Sequence, residues 1–216
     1  MKPAGKVKIR WSPQFAYAIG VIVTDGSLSS NGRSINITSK DLEMINNVQK
    51  CLETNFKIGK KSRSTEKEKK YFYIQIGDIL LYKFLETIGL MSNKTKIIKE
   101  VKIPQKYFFD FLRGHFDGDG TSYSYWDKRW HSSFMFYTVF ISASKYHIEW
   151  LRNEIFKNLK IKGHISKSNF NSAYQLKYAK TESLKLLPKM YYSKDVICLS
   201  RKRLKIEKAL VINKLK

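Results

Sequence analysis

The chain has little cysteine, histidine or proline: two, four and four residues in 216. Two thiols, Cys51 and Cys198, cannot supply a zinc-finger ligand set or a disulfide framework. Cys51 falls on the apolar face of a predicted helix and reads as a small core residue. Histidines 115, 131, 147 and 164 do not cluster, and no His-Asn-His or Cys-His metal spacing occurs. No apolar run approaches the ~20 residues of a membrane span. Residues 1–6 have no hydrophobic signal core behind them. An intracellular, reducing location without a membrane partner is expected. Acidic residues are scarce too: 18 Asp and Glu stand against 41 Lys and Arg, a formal charge of +23. Such a surface repels itself, and a polyanionic partner relieves that repulsion. The 43% hydrophobic content supports a packed core and excludes global disorder.

What is present is a pattern that occurs twice. Ala18-Ile19-Gly20-Val21-Ile22-Val23-Thr24-Asp25-Gly26 and Leu112-Arg113-Gly114-His115-Phe116-Asp117-Gly118-Asp119-Gly120 are each an apolar helical stretch. Each has Gly third, ends in Asp-Gly and runs into a strand-like segment. In the first half a helix is predicted over 12–24, with Ser12 as N-cap and Pro13 at its first position. Two strands follow within 27–39, around a turn at Ser30-Asn31-Gly32. A helix from residue 40 carries Leu42, Ile45, Val48, Leu52 and Phe56 at helical spacing. A basic strand (57–63), a charged turn (64–70), a strand (71–77) and a helix (79–90) complete the half.

The second half repeats the order. A helix covers 104–117, strands 120–126 and 133–142, and a helix from 144 aligns Ile148, Leu151, Ile155 and Leu159. Strands 162–168 and 172–178, a helix over 181–190 weakened near Pro188, and a basic amphipathic helix over 200–216 close the chain. Ile37-Thr38-Ser39-Lys40 matches Ile141-Ser142-Ala143-Ser144-Lys145 with one insertion, which supports a duplication. The expected division is a half over 1–90, a linker over 91–103 and a second half over 104–216, in one α+β protein.

Small residues let helix backbones approach. Ala16 and Gly20 share one helix face, as do Gly114 and Gly118, so the motif helices are expected to pack through Gly20 and Gly114. Asp25 and Asp119 then lie side by side at helix C-termini, where the dipole is already negative. Two carboxylates there repel unless a cation neutralises them. Oxygen-only ligands select a hard divalent ion, Mg²⁺ before others, with Mn²⁺ or Ca²⁺ able to substitute in binding. No backbone ligand is assigned. Asp117 has no counterpart in the first motif, where Val23 stands, and reads as a local hydrogen-bonding residue. His115 reads as a packing or surface residue.

The two segments resemble the LAGLIDADG motifs of single-chain homing endonucleases. The second is a close match; the first keeps the third, fifth, eighth and ninth positions. The order of elements around each motif is also similar to that family's αββαββα half. The resemblance implies two pseudo-symmetric halves and a saddle of antiparallel sheets, helices on the convex side and duplex DNA in the concave one. It implies a monomer that cuts a long asymmetric target with Mg²⁺ and leaves short 3′ overhangs, Asp25 and Asp119 holding the metal. The family places a basic residue after the last helix of each half, near the cleaved phosphate, which points to Lys94 and Lys202 as catalytic residues that orient the attacking water or stabilise phosphorane charge, or else as plain phosphate contacts.

On that scaffold the outward side of the strands faces DNA. Alternation turns Phe72, Ile74 and Ile76 toward the helices and Tyr71, Tyr73 and Gln75 outward. In the second half Tyr174, Leu176 and Tyr178 turn inward, Gln175 and Lys177 outward. Arg33, Ser34, Asn36 and Thr38 join them, with Lys60, Arg63 and Lys167 on the strands and Lys128 and Arg129 on the longer hairpin. Gln, Asn and Arg read base edges, while Lys mainly contacts phosphate. Segment 133–142 is apolar on both faces and leaves its register open. Two other functions fit the same scaffold: an RNA-binding intron maturase and a DNA-binding protein without cleavage. Retention of both acids favours the nuclease. A protein-splicing element is not expected, because no His-Asn precedes a terminal nucleophile.

Overall fold

The protein is described by a computed structural model covering residues 5–62, 68–130, 132–168 and 173–214. Its first helix, α1 (Pro13–Asp25), begins where the sequence predicts. The Ser12 hydroxyl accepts from the Phe15 N–H at 3.0 Å, and Pro13 lacks the amide that the first turn leaves unpaired. It leads directly into β1 (Gly26–Leu28), which pairs antiparallel with β2 (Ile35–Ser39) across a turn held by Asn31. Gly32 takes φ +71° there, which disfavours any residue with a Cβ. Helix α2 (Leu42–Cys51), strands β3 (Gly59–Lys61) and β4 (Tyr71–Ile76), and helix α3 (Ile79–Thr87) follow. The predicted apolar face of α2 is corrected at both ends. Leu42, in the first turn, is exposed, and Met44 is buried instead. The helix stops at Cys51 as Glu53 turns to φ +53°, so Phe56 lies beyond it. Arg63 and most of the charged turn (63–67) lie outside the described residues.

The second half opens with a 3₁₀ turn (Gln105–Tyr107) and then α4 (Phe108–Asp119), so the α-helix starts later and runs two residues further than predicted. Strands β5 (Thr121–Trp126) and β6 (Phe134–Ser142) form the long hairpin. Helix α5 (Lys145–Leu159) is capped by the Ser144 hydroxyl. Strands β7 (His164–Lys167) and β8 (Tyr174–Tyr178), helix α6 (Lys180–Met190), which runs through Pro188, and α7 (Ser200–Lys214) complete the fold.

Each half builds one antiparallel sheet of four strands, in the orders β1-β2-β4-β3 and β5-β6-β8-β7. The identical order, with a motif helix entering the first strand of each, is the pseudo-symmetric α+β architecture expected. Residues directly opposite on neighbouring strands share a face. Ile35 and Ile37 oppose Ile76 and Ile74 and are fully buried against the helices. The open register of β6 is thereby settled: Phe134, Phe136 and Phe140 are buried with Leu176, and Met135, Tyr137 and Ile141 face the other way. One hydrophobic cluster runs through both halves and includes Leu90, Ile98 and Val101 of the connecting segment. That segment is tied to both sides: the Lys102 N–H donates to Ile88 O at 2.8 Å and the Ser144 hydroxyl to Ile98 O.

Candidate active site and nucleic-acid interface

Glycine sets the closeness of α1 and α4. A Cβ on Gly20 would overlap the carbonyl oxygen of Phe111 and lie 2.6 Å from the His115 nitrogen. One on Gly114 would overlap the carbonyl oxygen of Tyr17. The contact is reciprocal, as a two-fold seam requires, and both helices run along it to their motif carboxylates. A Cβ on Gly118 would sit 2.5 Å from Asp25 Oδ2, so the Asp25 carboxylate lies against the last turn of α4, one residue from Asp119. The Thr24 hydroxyl donates to the same oxygen at 3.1 Å.

The electrostatics record the convergence. Burial, then the charge of Asp119, pushes the Asp25 carboxyl up to about 6. Asp119, whose side chain reaches solvent, is raised in the same direction by the protein around it. Lys94 and Lys202 are buried and pushed down to about 8 by that burial, against the opposing pull of both carboxylates. All four groups therefore lie within electrostatic reach of one another. Oxygen donors alone, held close enough that the charge of Asp119 raises the proton affinity of Asp25, fit a hard divalent cation.

The lysines are placed differently from a simple phosphate contact. The Lys94 ammonium donates to the carbonyl oxygen of Gly26, beyond the end of α1. The Lys202 ammonium donates to Phe116 O, Asp117 O and Gly120 O at 2.6–2.7 Å, with Gly118 O at 3.2 Å. Lys202 is a cationic cap on the last carbonyls of α4, and Lys94 holds the first carbonyl beyond α1. Lys94 is delivered by a 3₁₀ turn (Lys94–Lys96) that starts at Asn93 with φ +54°. Lys202 stands in the first turn of α7, and the chain leading to it is clamped on α4. Asp117 Oδ2 accepts from the Leu199 N–H at 2.7 Å and from the Tyr17 hydroxyl at 2.8 Å, so Asp117 is a hydrogen-bonding residue, but its partners lie across the fold and are not the local ones expected. Arg113, buried and paired with Asp110 at 2.8 Å, donates to Ile197 O and Met190 O.

A pair of residues invisible to sequence spacing lies behind Asp119. His115 and His147 stack, with their Nε2 atoms 3.1 Å apart, and His147 Nδ1 donates to Lys99 O at 2.7 Å. A carbonyl only accepts, so His147 carries its proton on Nδ1 and accepts at Nε2 from His115. Burial lowers both, His147 to about 4 and His115 well below its ordinary value, which keeps the pair neutral. The cavity beside them, which also reaches Asp119 and Lys94, is only about 40 Å³. Its counterpart beside Asp25 is an open cleft of about 360 Å³ lined by Lys40, Asp41, Tyr71 and Arg201. No signal short of the α4–α5 packing could have joined the two histidines.

Most of the expected DNA face assembles, with four corrections. Asn36, Thr38, Tyr73 and Gln75 share the outward face of the first sheet, and Tyr71 stands on it but is buried under the Lys40 ammonium at 5.3 Å. Lys60 opposes Phe72 on the helix side and lies 5.2 Å over its ring; Lys61, not foreseen, takes the outward place over Tyr73. Lys167 likewise opposes Tyr174 on the helix side. Ser34 is buried in the hairpin, its hydroxyl held by Ser29 and Gln75, while Arg33 beside it is exposed. Gln175 and Lys177 face outward, and Lys128 and Arg129 are exposed at the tip of the long hairpin.

Residues 12–89 match the family model of the LAGLIDADG-like domain. The whole chain is similar in fold to the meganuclease I-SmaMI bound to uncleavable DNA, with a TM-score of 0.63 and 14% identity over 95% of this chain and 91% of that one. I-SmaMI on an uncleaved DNA target with calcium ions is similar at a TM-score of 0.60 and 14% identity, covering 95% and 92% of the two chains. The N-terminal LAGLIDADG domain of DUF199/WhiA is similar too, with a TM-score of 0.57 and 16% identity over 92% and 88%. At these identities the likeness establishes a shared fold. No curated protein matches the sequence.

Proposed function

We propose that this chain, a LAGLIDADG fold with both motif acids in place, is a divalent-cation-dependent endonuclease for duplex DNA. One observation carries the reading: the Asp25 carboxylate lies against the last turn of α4 beside Asp119, whose charge adds to burial in raising the proton affinity of Asp25. The sheets beside that point present Asn, Gln, Tyr and Lys side chains outward on a chain of net charge +23. A duplex laid across them would set a phosphodiester of each strand near the carboxylates. The preferred cation is Mg²⁺, with Ca²⁺ or Mn²⁺ able to bind in its place.

Asp25 and Asp119 would hold the cation through their carboxylate oxygens. Once bound, a hard divalent ion supplies charge stabilisation at the phosphate and lowers the proton affinity of water. Lys94 and Lys202 are positioning residues here: they neutralise the negative helix ends and so let two acids stand together. Gln75, Asn36 and Gln175 can hydrogen-bond base edges, and Lys61 and Lys177 can contact phosphate. The halves differ in outward residues, which matches a long asymmetric target cut by one monomer to short 3′ overhangs.

The test is cleavage of a duplex library by the full chain in Mg²⁺ and in EDTA. Cleavage is expected in Mg²⁺ alone. Asp25→Asn and Asp119→Asn are each expected to abolish it while the protein still retards duplex on a gel. Full cleavage by either variant would overturn the assignment.

A further inference from the structure

The two outward faces carry different chemistry. In the first sheet the row along β2 and β4 is Asn36, Thr38, Gln75 and Tyr73, rich in hydrogen-bond donors and acceptors. In the second, the row along β6 is Met135, Tyr137 and Ile141, each only partly buried, with Val139 already covered between them. Tyr123 opposes Tyr137, and their rings stack with centroids 5.0 Å apart at 24°, while Tyr125 continues the stack at 6.2 Å from Tyr137. The Lys177 ammonium stands 5.6 and 5.8 Å over the rings of Tyr123 and Tyr137. This is an ordered apolar ridge with a cation beside it, on the face that Phe134, Phe136 and Phe140 turn away from.

A major groove offers one apolar group to such a ridge, the C5-methyl of thymine. The single-sign charge suits a polyanion, and the ridge continues the face that Gln175 and Lys177 share. From this we infer that the β5–β6 hairpin of the second sheet adds thymine-methyl reading to its half-site, packed on Met135, Tyr137 and Ile141, whereas the first sheet reads by hydrogen bonds alone. The inference rests on the reading that the sheets hold duplex DNA. Its consequence is an asymmetric target: runs of A·T pairs with fixed thymine placement on one side, mixed sequence on the other.

Duplexes randomised over about two turns of B-form helix, ~20 base pairs, would be selected for binding to the full chain in Ca²⁺ and sequenced. Repeating the selection with Gln75→Ala marks the half-site of the first sheet, where the preference should change. Thymine is then replaced by uracil, which lacks only the methyl, in one half-site at a time. Loss of about fourfold in affinity per methyl is expected in the second half-site, the value of one buried methyl-sized group. Less than about twofold in total is expected in the first, because its hydrogen-bonded reading survives the change. Met135→Ser and Tyr137→Ser, on the outward face, should remove the uracil effect without removing the first half-site preference. Equal tolerance of uracil in both halves would overturn the inference and leave the DNA-binding reading standing. Failure to retain any duplex would overturn that reading, and the inference with it.

Discussion

The ammonium of Lys202 stands 2.6 Å from the carbonyl oxygen of Gly120, the residue after Asp119. Lys94 holds the carbonyl oxygen of Gly26, the residue after Asp25, in the same way. Each motif helix therefore ends in a carboxylate, a glycine and a lysine that the chain brings back 68 or 82 residues later. Part of the charge that opposes the repulsion between the two acids is built into the fold, although both acids stay raised in proton affinity. It also explains why both lysines are buried: their donors are committed to the backbone.

Replacing Lys202 with Met should expose the importance of that cap. The Asp117 and Gly120 carbonyls would lose their shared donor, while the Phe116 carbonyl would keep the Gly120 N–H. A loss of about 2–3 kcal/mol in urea denaturation at pH 7 is expected, the cost of leaving buried acceptors unpaired. The sign of the pH effect is fixed by a folded value of about 8 against an ordinary 10.5. Between those values the unfolded chain binds more protons, so the contribution of Lys202 to stability rises with pH across 8 to 10.5. The difference between wild type and Lys202→Met should widen over that window, and a difference that narrows would contradict the assignment.

The sequence made the motif helices readable because glycine at the seam and Asp-Gly at the end leave few alternatives. The order of elements along the chain followed from the repeat. The errors fall where alternation has no buried partner to fix it. Strand β3 has three residues at a sheet edge, and its half-exposed pairing lets Lys60 lie on Phe72 and Lys61 on Tyr73. Strand β6 is apolar on both faces, one for the core and one for the ridge, so periodicity could not orient it. The lysine caps and the His115–His147 pair join residues more than thirty positions apart, and only tertiary packing brings them together.

Gly20→Ala and Gly114→Ala should each destabilise the protein by more than about 3 kcal/mol, since the added methyl meets backbone that cannot swing aside. Gly77→Ala, where nothing lies within 4 Å of the added carbon, should stay within about 1 kcal/mol. Thermal melts of the three variants separate the seam from a general glycine effect. A Gly20→Ala protein that melts with Gly77→Ala would refute the close packing.

Asp117 tests whether a motif acid can be purely internal. Asp117→Ala strands the Tyr17 hydroxyl and the Leu199 amide, and a loss of about 2–4 kcal/mol is expected. Asp117→Asn keeps an acceptor for both donors and should fall within about 1 kcal/mol of wild type at pH 7. It should also keep cleavage, unlike Asp25→Asn. Loss of cleavage in Asp117→Asn with unchanged stability would make Asp117 part of the site itself.

Asp25 gives the pH dependence of the site. Its carboxyl titrates at about 6 in the folded protein against 3.8 ordinarily, because it is buried beside Asp119. Below 6 it holds a proton, and the proton competes with the cation for the same oxygens. Binding of Ca²⁺ to the protein–duplex complex should therefore weaken roughly tenfold from pH 7 to pH 5, following the ionised fraction. Raising the cation concentration should restore occupancy at pH 5, because a cation that displaces the proton lowers the carboxyl's titration point. The raised value also has a stability sign. The folded state binds the extra proton between 3.8 and 6, so this contribution is fully present below 3.8 and lost as pH rises through 6. Without cation, Asp25→Asn should thus be more stable than wild type at pH 7 by about 1–3 kcal/mol, with the gap closing toward pH 4. Calorimetric titration of Ca²⁺ and urea melts at the two pH values read both effects; cation affinity that is flat from pH 7 to 5 would remove Asp25 from the ligand set.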